Sequence, residues 1–232
     1  MTTSLALTSP IGRELLDDPR ADPVLVAASL RNIARSNWLF GGVAAARSGV
    51  TRLLAGARPA TATLVDVGTG LGDVPRAVAR SLARQGIRLT VIGVELNPTA
   101  AKLATANGVP TVRGDGLRLP LPNRSVDIVL LSQVAHHLSP AGVTRLATEA
   151  TRVARVGVVL SDLKRSRPAE IGFAVAARIL RFDAATATDG VTSLRRGFRV
   201  SELRGLLARA GFQAECYSRL GSRIVATWTS SR

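Results

Sequence analysis

Leu64-Val65-Asp66-Val67-Gly68-Thr69-Gly70-Leu71-Gly72-Asp73 is the stretch that decides the fold class. A short apolar run ends in an acid, and three glycines follow at alternate positions. A second apolar run, Leu89 to Val94, ends in Glu95, twenty-three residues after Gly72. Two strands ending in this way describe a nucleoside-binding half of a doubly wound α/β sheet. The glycines let the backbone turn sharply and approach a ligand. The later acid can accept hydrogen bonds from both ribose hydroxyls. The spacing is G-x-G-x-G, not the G-x-G-x-x-G of dinucleotide enzymes, which favours S-adenosylmethionine over NAD.

The pattern alternates outward from this stretch. Strands are expected at Thr63 to Val67, Leu89 to Glu95, near Pro110 to Arg113, Val126 to Ser132 and Val156 to Ser161. Helices are expected from Asp73 to about Gln85, from Asn97-Pro98 to about Ala106, and from Ala141 to Ala154. Asp73 is read as the cap of the first helix, with Pro75 in its first turn. This alternation argues for a parallel sheet with helices on both faces. A helix from Ser201 to Ala210 precedes Gly211, and strands at Gln213 to Arg219 and Arg223 to Thr229 form an antiparallel hairpin at the sheet edge.

Two segments stand outside that rhythm. Residues 1–58 read as an N-terminal arm and helical cap. Pro10, Pro19, Pro23 and three aspartates mark a partly ordered arm over 1–23. Helices follow at Val24 to Phe40 and Val43 to Leu54, broken by Gly41-Gly42. They are expected to cover the ligand edge of a domain spanning 59–232. Residues 162–197 read as an insertion: a helical stretch from Ala169 to Phe182, then a loop through Asp189-Gly190.

The chain has 232 residues and is 46% hydrophobic, which suits one globular domain. No apolar run reaches the roughly 18 residues of a membrane span. Met1 to Pro10 has no basic n-region, so no secretory signal is expected. The single cysteine, Cys216, excludes an internal disulfide and fits a reducing cytoplasm. The net charge is +15, and only Lys102 and Lys164 are lysine. That bias, with abundant alanine, fits a GC-rich bacterial genome. A solvated basic surface accounts for the charge as well as an acidic partner does.

Asp66-Val67-Gly68-Thr69-Gly70-Leu71-Gly72, Val94-Glu95, Gly114-Asp115, and Leu119-Pro120-Leu121-Pro122 before Ser125-Val126-Asp127-Ile128-Val129 occur in order. With Ala135-His136-His137-Leu138 they resemble the class I S-adenosylmethionine-dependent methyltransferases. The subgroup they are similar to is the ubiquinone/menaquinone-biosynthesis and small-molecule enzymes. The resemblance covers about residues 60–162. It implies a seven-stranded, mostly parallel, Rossmann-like sheet, with S-adenosylmethionine as cofactor. It is specific for cofactor and fold and poorly specific for substrate.

The resemblance implies that Gly68, Thr69, Gly70 and Gly72 line the methionine end of the cofactor, with Asp66 and Asp73 receiving its ammonium. Glu95 would take the ribose and Leu96 would pack on the adenine. Asp115, flanked by Gly116, would accept from the adenine amino group. Ser132 and Gln133 would complete that site. His136 and His137 lie just beyond strand four, where an imidazole could take a proton from a substrate hydroxyl. Asp162 could act as a base or orient a histidine. Arg165 and Arg167 are candidates for gripping an anionic substrate group, and Trp38 and Phe40 for walling the substrate pocket. Lys164, Arg165, Arg167, Arg195 and Arg196 fit a solvated charge run equally well. No metal is expected.

The leading expectation is O-methylation of a phenolic or polyketide-type metabolite. Alternatives are C-methylation of a quinone-like substrate, an RNA or DNA methyltransferase, and a cofactor-binding partner without turnover. Against the nucleic-acid reading, strand four ends in Ser132-Gln133-Val134-Ala135, without a Pro-Pro-aromatic motif. No appended nucleic-acid module is recognisable either. Oligomeric state is left open.

Overall fold

The computed structural model describes residues 11–12, 14–18 and 20–230. The arm's Pro10 and Pro19, and the segment Met1 to Pro10, lie outside the described residues. One seven-stranded sheet organises the rest. Its strands are β1 Thr61–Val67, β2 Arg88–Glu95, β3 Thr111–Arg113, β4 Val126–Ser132, β5 Ala154–Leu163, β6 Glu215–Arg219 and β7 Arg223–Thr229. Their order is β3-β2-β1-β4-β5-β7-β6. The first five run parallel, and β7 pairs antiparallel with both β5 and β6. Both the parallel sheet and the terminal hairpin expected from the sequence are therefore present.

β1, β4 and β5 occupy the middle of the sheet, and their apolar residues are almost all buried. A strand covered on both faces needs a near-continuous apolar run rather than alternation, and Ile128-Val129-Leu130-Leu131 is such a run. On one face, α5 (Pro140–Val153) and α8 (Val200–Arg209) bury Leu146, Ala150, Leu203 and Leu207 against the sheet. On the other, α2 (Gly42–Leu54) and α3 (Asp73–Ala83) bury Ala45, Val50, Val78 and Leu82. Among the described residues, no helix is long and apolar enough to cross a membrane.

The expected cap needs correction in extent. α2 packs on β4, β5 and β7 and beside α3, so it belongs to the sheet's own helix layer. Of the two cap helices, α1 (Pro23–Leu39) is the one that stands over the ligand edge, where Val26 and Leu30 pack on Ala100 of α4 (Pro98–Ala106). The small residues Ala45, Ala46 and Gly49 let α2 lie close to the strands, a packing role that helical periodicity alone does not reveal.

The insertion also differs from expectation. It is a helical hairpin, α6 (Arg167–Ile179) and α7 (Ala184–Arg196), and α7 runs straight through Asp189-Gly190. Asp183 starts α7 by accepting from the Thr186 amide at 2.8 Å. Gly190 is not a turn residue. A Cβ there would lie 2.1 Å from the Phe173 ring, so glycine is required where α7 crosses α6. Asp-Gly is ordinary turn chemistry, and here tertiary packing overrides it.

Candidate active site

The carboxyl ends of β1, β2 and β4 open into a cavity of about 600 Å³ covered by α1, α6 and α7. In open α/β sheets this is the ligand edge. The β1–α3 loop forms its floor. Gly68, Gly70 and Gly72 all adopt positive φ, at 69°, 57° and 71°. A Cβ on Gly68 would sit 2.4 Å from Val134. Gly72 takes the N-cap position of α3, and Asp73 is the first helical residue instead of the cap. Gly72 is not part of the cavity wall. Its missing Cβ faces Val109 at 2.6 Å, so it serves the turn.

Glu95 closes β2 and holds the loop in place. One carboxylate oxygen accepts from the Gly70 amide at 3.0 Å and the other from the Asn97 amide at 2.9 Å. Leu96 is 54% exposed on the cavity wall, as an apolar ring-packing residue must be. Asp115 also lines the cavity, and its Oδ1 accepts from the Leu117 amide at 2.8 Å, fixing the Gly114-Asp115-Gly116 turn.

Asp66 is buried beneath this loop. Its Oδ1 and the Thr69 hydroxyl have no hydrogen-bond partner among the described residues. Burial pushes the Asp66 carboxyl well above the usual carboxylate range, and the Asp73 and Glu95 carboxylates push the same way. Asp73 is raised by burial too, although Asn37 donates to it at 3.1 Å.

A hydrogen-bonded chain missed in the sequence closes the cavity's far side. Asn37 of α1 links Asp73 to Gln133, whose Nε2 donates to Asn37 Oδ1 at 2.5 Å. Gln133 Oε1 accepts from Arg223 of β7 at 2.7 Å, and Arg223 Nε donates to the Phe40 carbonyl at 3.0 Å. Arg223 is fully buried, which lowers its pKa to about 10. Gln133 holds φ +56°, uncommon for a residue with a side chain. Ser132, just before it, is buried on the cavity wall. An isolated Asn in a helix and an Arg in a strand carry no sequence signal, because their value lies in partners distant along the chain.

The two histidines follow β4 in a 3₁₀ turn, Ala135–His137. Their rings stack with centroids 4.1 Å apart. His136 is 3% exposed and its Nδ1 lies 2.7 Å from Asp162 Oδ1. Asp162 is wholly buried behind it and does not line the cavity. Burial alone would raise its pKa, but the His136 pair and the Leu163 amide hold it below the usual range. His136 Nε2 has no partner among the described residues. His137 Nδ1 lies 2.7 Å from Asp17, in a short 3₁₀ turn at Leu15–Asp17. Asp17 is held well below the usual carboxylate range: its pairs with His137 and Arg196 outweigh burial.

Four expected substrate or basic residues lie elsewhere. Trp38 is 61% exposed and points away from the cavity, whereas Phe40 lines it; the sequence placed both on the pocket wall. Arg165 is bound to Glu202 and to the Gly197 carbonyl, which ties β5 to α8. Arg167 opens α6 as an exposed first-turn residue. Neither arginine lines the cavity. Arg196 is the buried one, paired with Glu14 and Asp17.

Residues 65–161 match the methyltransferase domain family. A relative from Mycobacterium leprae, named an uncharacterized methyltransferase, is 38% identical over 112 residues, covering 46% of this chain and 39% of its own length. The chain thus spans about two fifths of the curated relatives it matches. Among solved structures, a SAM-dependent methyltransferase from Aquifex aeolicus aligns with TM-score 0.55 at 16% identity, over 73% of this chain and 82% of that one. Magnesium protoporphyrin IX methyltransferase from Synechocystis, with SAH bound, aligns with TM-score 0.53 at 16% identity, over 80% and 82%. Residues 65–161 are thus similar to a methyltransferase domain, and the strand order is the fold shared with these S-adenosylmethionine-dependent methyltransferase structures.

Proposed function

We propose that the protein methylates an oxygen of a small, largely apolar metabolite bearing a phenolic or enolic hydroxyl, with S-adenosylmethionine as donor. The residues present fit that cofactor. Asp66, buried with an unpartnered oxygen beside the glycine loop, suits an ammonium group. The amides at the start of α3 suit a carboxylate. Glu95 at the end of β2 suits a ribose diol, and Leu96 and Asp115 an adenine. When bound, the cofactor supplies a methyl group on an already activated sulfonium.

The observation that carries the acceptor chemistry is the His136–Asp162 pair. A phenol has pKa near 10, so its oxygen needs help to become nucleophilic at neutral pH. Asp162 favours the Nδ1–H tautomer of His136, which leaves the buried and otherwise unpartnered Nε2 as a lone pair on a residue that lines the cavity. That nitrogen takes the hydroxyl proton as the O–CH₃ bond forms, and Asp162 offsets the imidazolium charge. Leu30, Ile33, Phe40, Leu117 and Phe173 supply apolar walls that exclude water. A cavity roofed by helices favours a small acceptor over a polynucleotide. The proposed setting is the cytoplasm.

Incubation with methyl-labelled S-adenosylmethionine and separate pools of phenols, carboxylic acids and total RNA tests this reading. Label should enter the phenol pool. Label confined to RNA would overturn the proposal.

Asp66 gives a second test. Its raised pKa favours the protonated form on folding, so its stability contribution is present below about pH 4, the unfolded value, and is lost as pH rises through the folded value. Asp66→Asn should therefore flatten the fall in thermal midpoint of the ligand-free protein as pH rises above 4. The same change should weaken S-adenosylmethionine binding about 10–100-fold, because a charge-assisted contact is lost. Calorimetry in buffers of different ionisation enthalpy should also show proton release on binding by the wild type and not by the variant.

A further inference from the structure

We infer that Glu14, His136 and His137 form a binding site for one divalent transition-metal cation of the zinc type. Each offers a ligand atom, and these atoms all lie within 4.8 Å of one another. Glu14 and His136 are both at least nine-tenths buried. His136 Nε2 has no hydrogen-bond partner among the described residues, and Glu14 Oε1 has only its ion-pair contact with Arg196.

The orientation of the two imidazoles is the stronger argument. His136 places Nδ1 at 2.7 Å from Asp162, and His137 places Nδ1 at 2.7 Å from Asp17. With Nδ1 protonated in each ring, the carboxylate accepts that proton and Nε2 is left as a lone pair; Arg196 Nη1 also lies 3.2 Å from His137 Nδ1. Histidines that ligate a metal through one nitrogen usually donate the other N–H to a carboxylate, which fixes the tautomer and raises the basicity of the ligand. Here both histidines have that arrangement, beside the same third carboxylate. His137 Nε2 is 3.9 Å from Glu14 Oε2. Bonds of about 2.0–2.2 Å in tetrahedral geometry need ligand atoms about 3.3–3.5 Å apart. The three ligand atoms therefore have to draw together by a few tenths of an ångström to somewhat over one ångström on binding, with Glu14 exchanging its contacts to Arg196 and Ser193 for the cation.

Charge points the same way. Glu14, Asp17 and Asp189 face one guanidinium group, Arg196, and Asp162 faces Arg223. With neutral imidazoles, the ionised cluster is net negative. Arg196 Nη1 lies 3.0 Å from Glu14 Oε1, and Ser193 donates to Glu14 Oε2 at 2.8 Å, which keeps the carboxylate on the histidine side of the cavity. Three protein ligands leave a fourth position on the cavity side, as in open zinc sites. His136 Nε2 is also the proton acceptor in the reading above. A bound cation and a proton-accepting His136 therefore exclude each other.

The test uses the untagged full chain, treated with chelator and titrated with Co²⁺. The chain has two histidines in all, so a visible absorption band from an imidazole-bound cobalt reports this site. One equivalent should bind, with the band bleached by stoichiometric Zn²⁺. His137→Ala should abolish the band, and Asp17→Asn should weaken binding about 10–100-fold. Circular dichroism checks that each variant is folded. A folded wild type without the band up to millimolar Co²⁺ overturns the site, as does a band that persists in folded His137→Ala. The readout requires no turnover. Methyl transfer by the chelator-treated protein is measured separately, so failure of one proposal is distinguishable from failure of the other.

Discussion

His136→Ala should lower kcat/KM for a phenolic acceptor about 10²–10⁴-fold, the usual contribution of a positioned acid–base group. S-adenosylmethionine affinity should change little, because the imidazole's contacts are with Asp162 and His137 rather than with Glu95 or the glycine loop. Asp162→Asn should act in the same direction by a different route. The carboxylate that fixes the Nδ1–H tautomer is replaced by an amide, which can present a donor to the same nitrogen. Acceptors that already carry an anionic oxygen should be insensitive to both changes, since no proton has to be moved. Steady-state rates with acceptors of graded pKa measure this. Equal losses across the whole series would show that His136 shapes the pocket without taking a proton. Asp162→Asn should also cost stability. A carboxyl held below its ordinary range stabilises the fold above about pH 4 and loses that contribution as pH falls through its folded value.

Gly70→Arg should reduce S-adenosylmethionine binding by more than about 10²-fold. Gly70 has φ +57°, where a non-glycine residue costs about 1–3 kcal/mol of strain. Its missing Cβ faces Leu30 at 3.3 Å, so an arginine side chain starts inside the cavity wall. Glu95→Ala attacks the same loop from β2. It releases the Gly70 and Asn97 amides and removes the acceptor proposed above for a ribose diol. Its expected loss is about 10–100-fold, from charge-assisted hydrogen bonds worth about 1.5–3 kcal/mol. Isothermal titration calorimetry on folded variants measures both. Wild-type-like affinity in both would remove the glycine loop from the cofactor site.

The order of these effects follows the order in which the chain reveals its features. The β1–α3 loop, Glu95 and the β4 end were legible because each combines a strand's apolar run with the residue that ends it. In a parallel sheet those ends must gather at one edge. The hairpin Glu215–Thr229 was legible for a similar reason: a short link leaves two strands only an antiparallel pairing. Local pattern thus determined the sheet, its direction and the position of the ligand edge.

Other features depended on partners distant in sequence. α2 reads as an amphipathic helix before a domain, and only the sheet's uncovered face makes it part of the core. Asp189-Gly190 reads as a turn, and only the Phe173 ring makes the glycine a helix-crossing residue. Trp38 and Asn37 are neighbours on α1, yet one faces solvent and the other joins Asp73 to Gln133. Arg165 and Arg196 are chemically identical, but Arg165 bridges to α8 at the surface and Arg196 is buried against Glu14 and Asp17. Short-range periodicity records which face of an element is apolar. It carries no record of which distant polar group meets another, because that contact is set by how the helices cross the sheet. The sequence alone therefore determined the fold and the cofactor edge, while tertiary packing decided which charges surround the histidines and what those histidines can do.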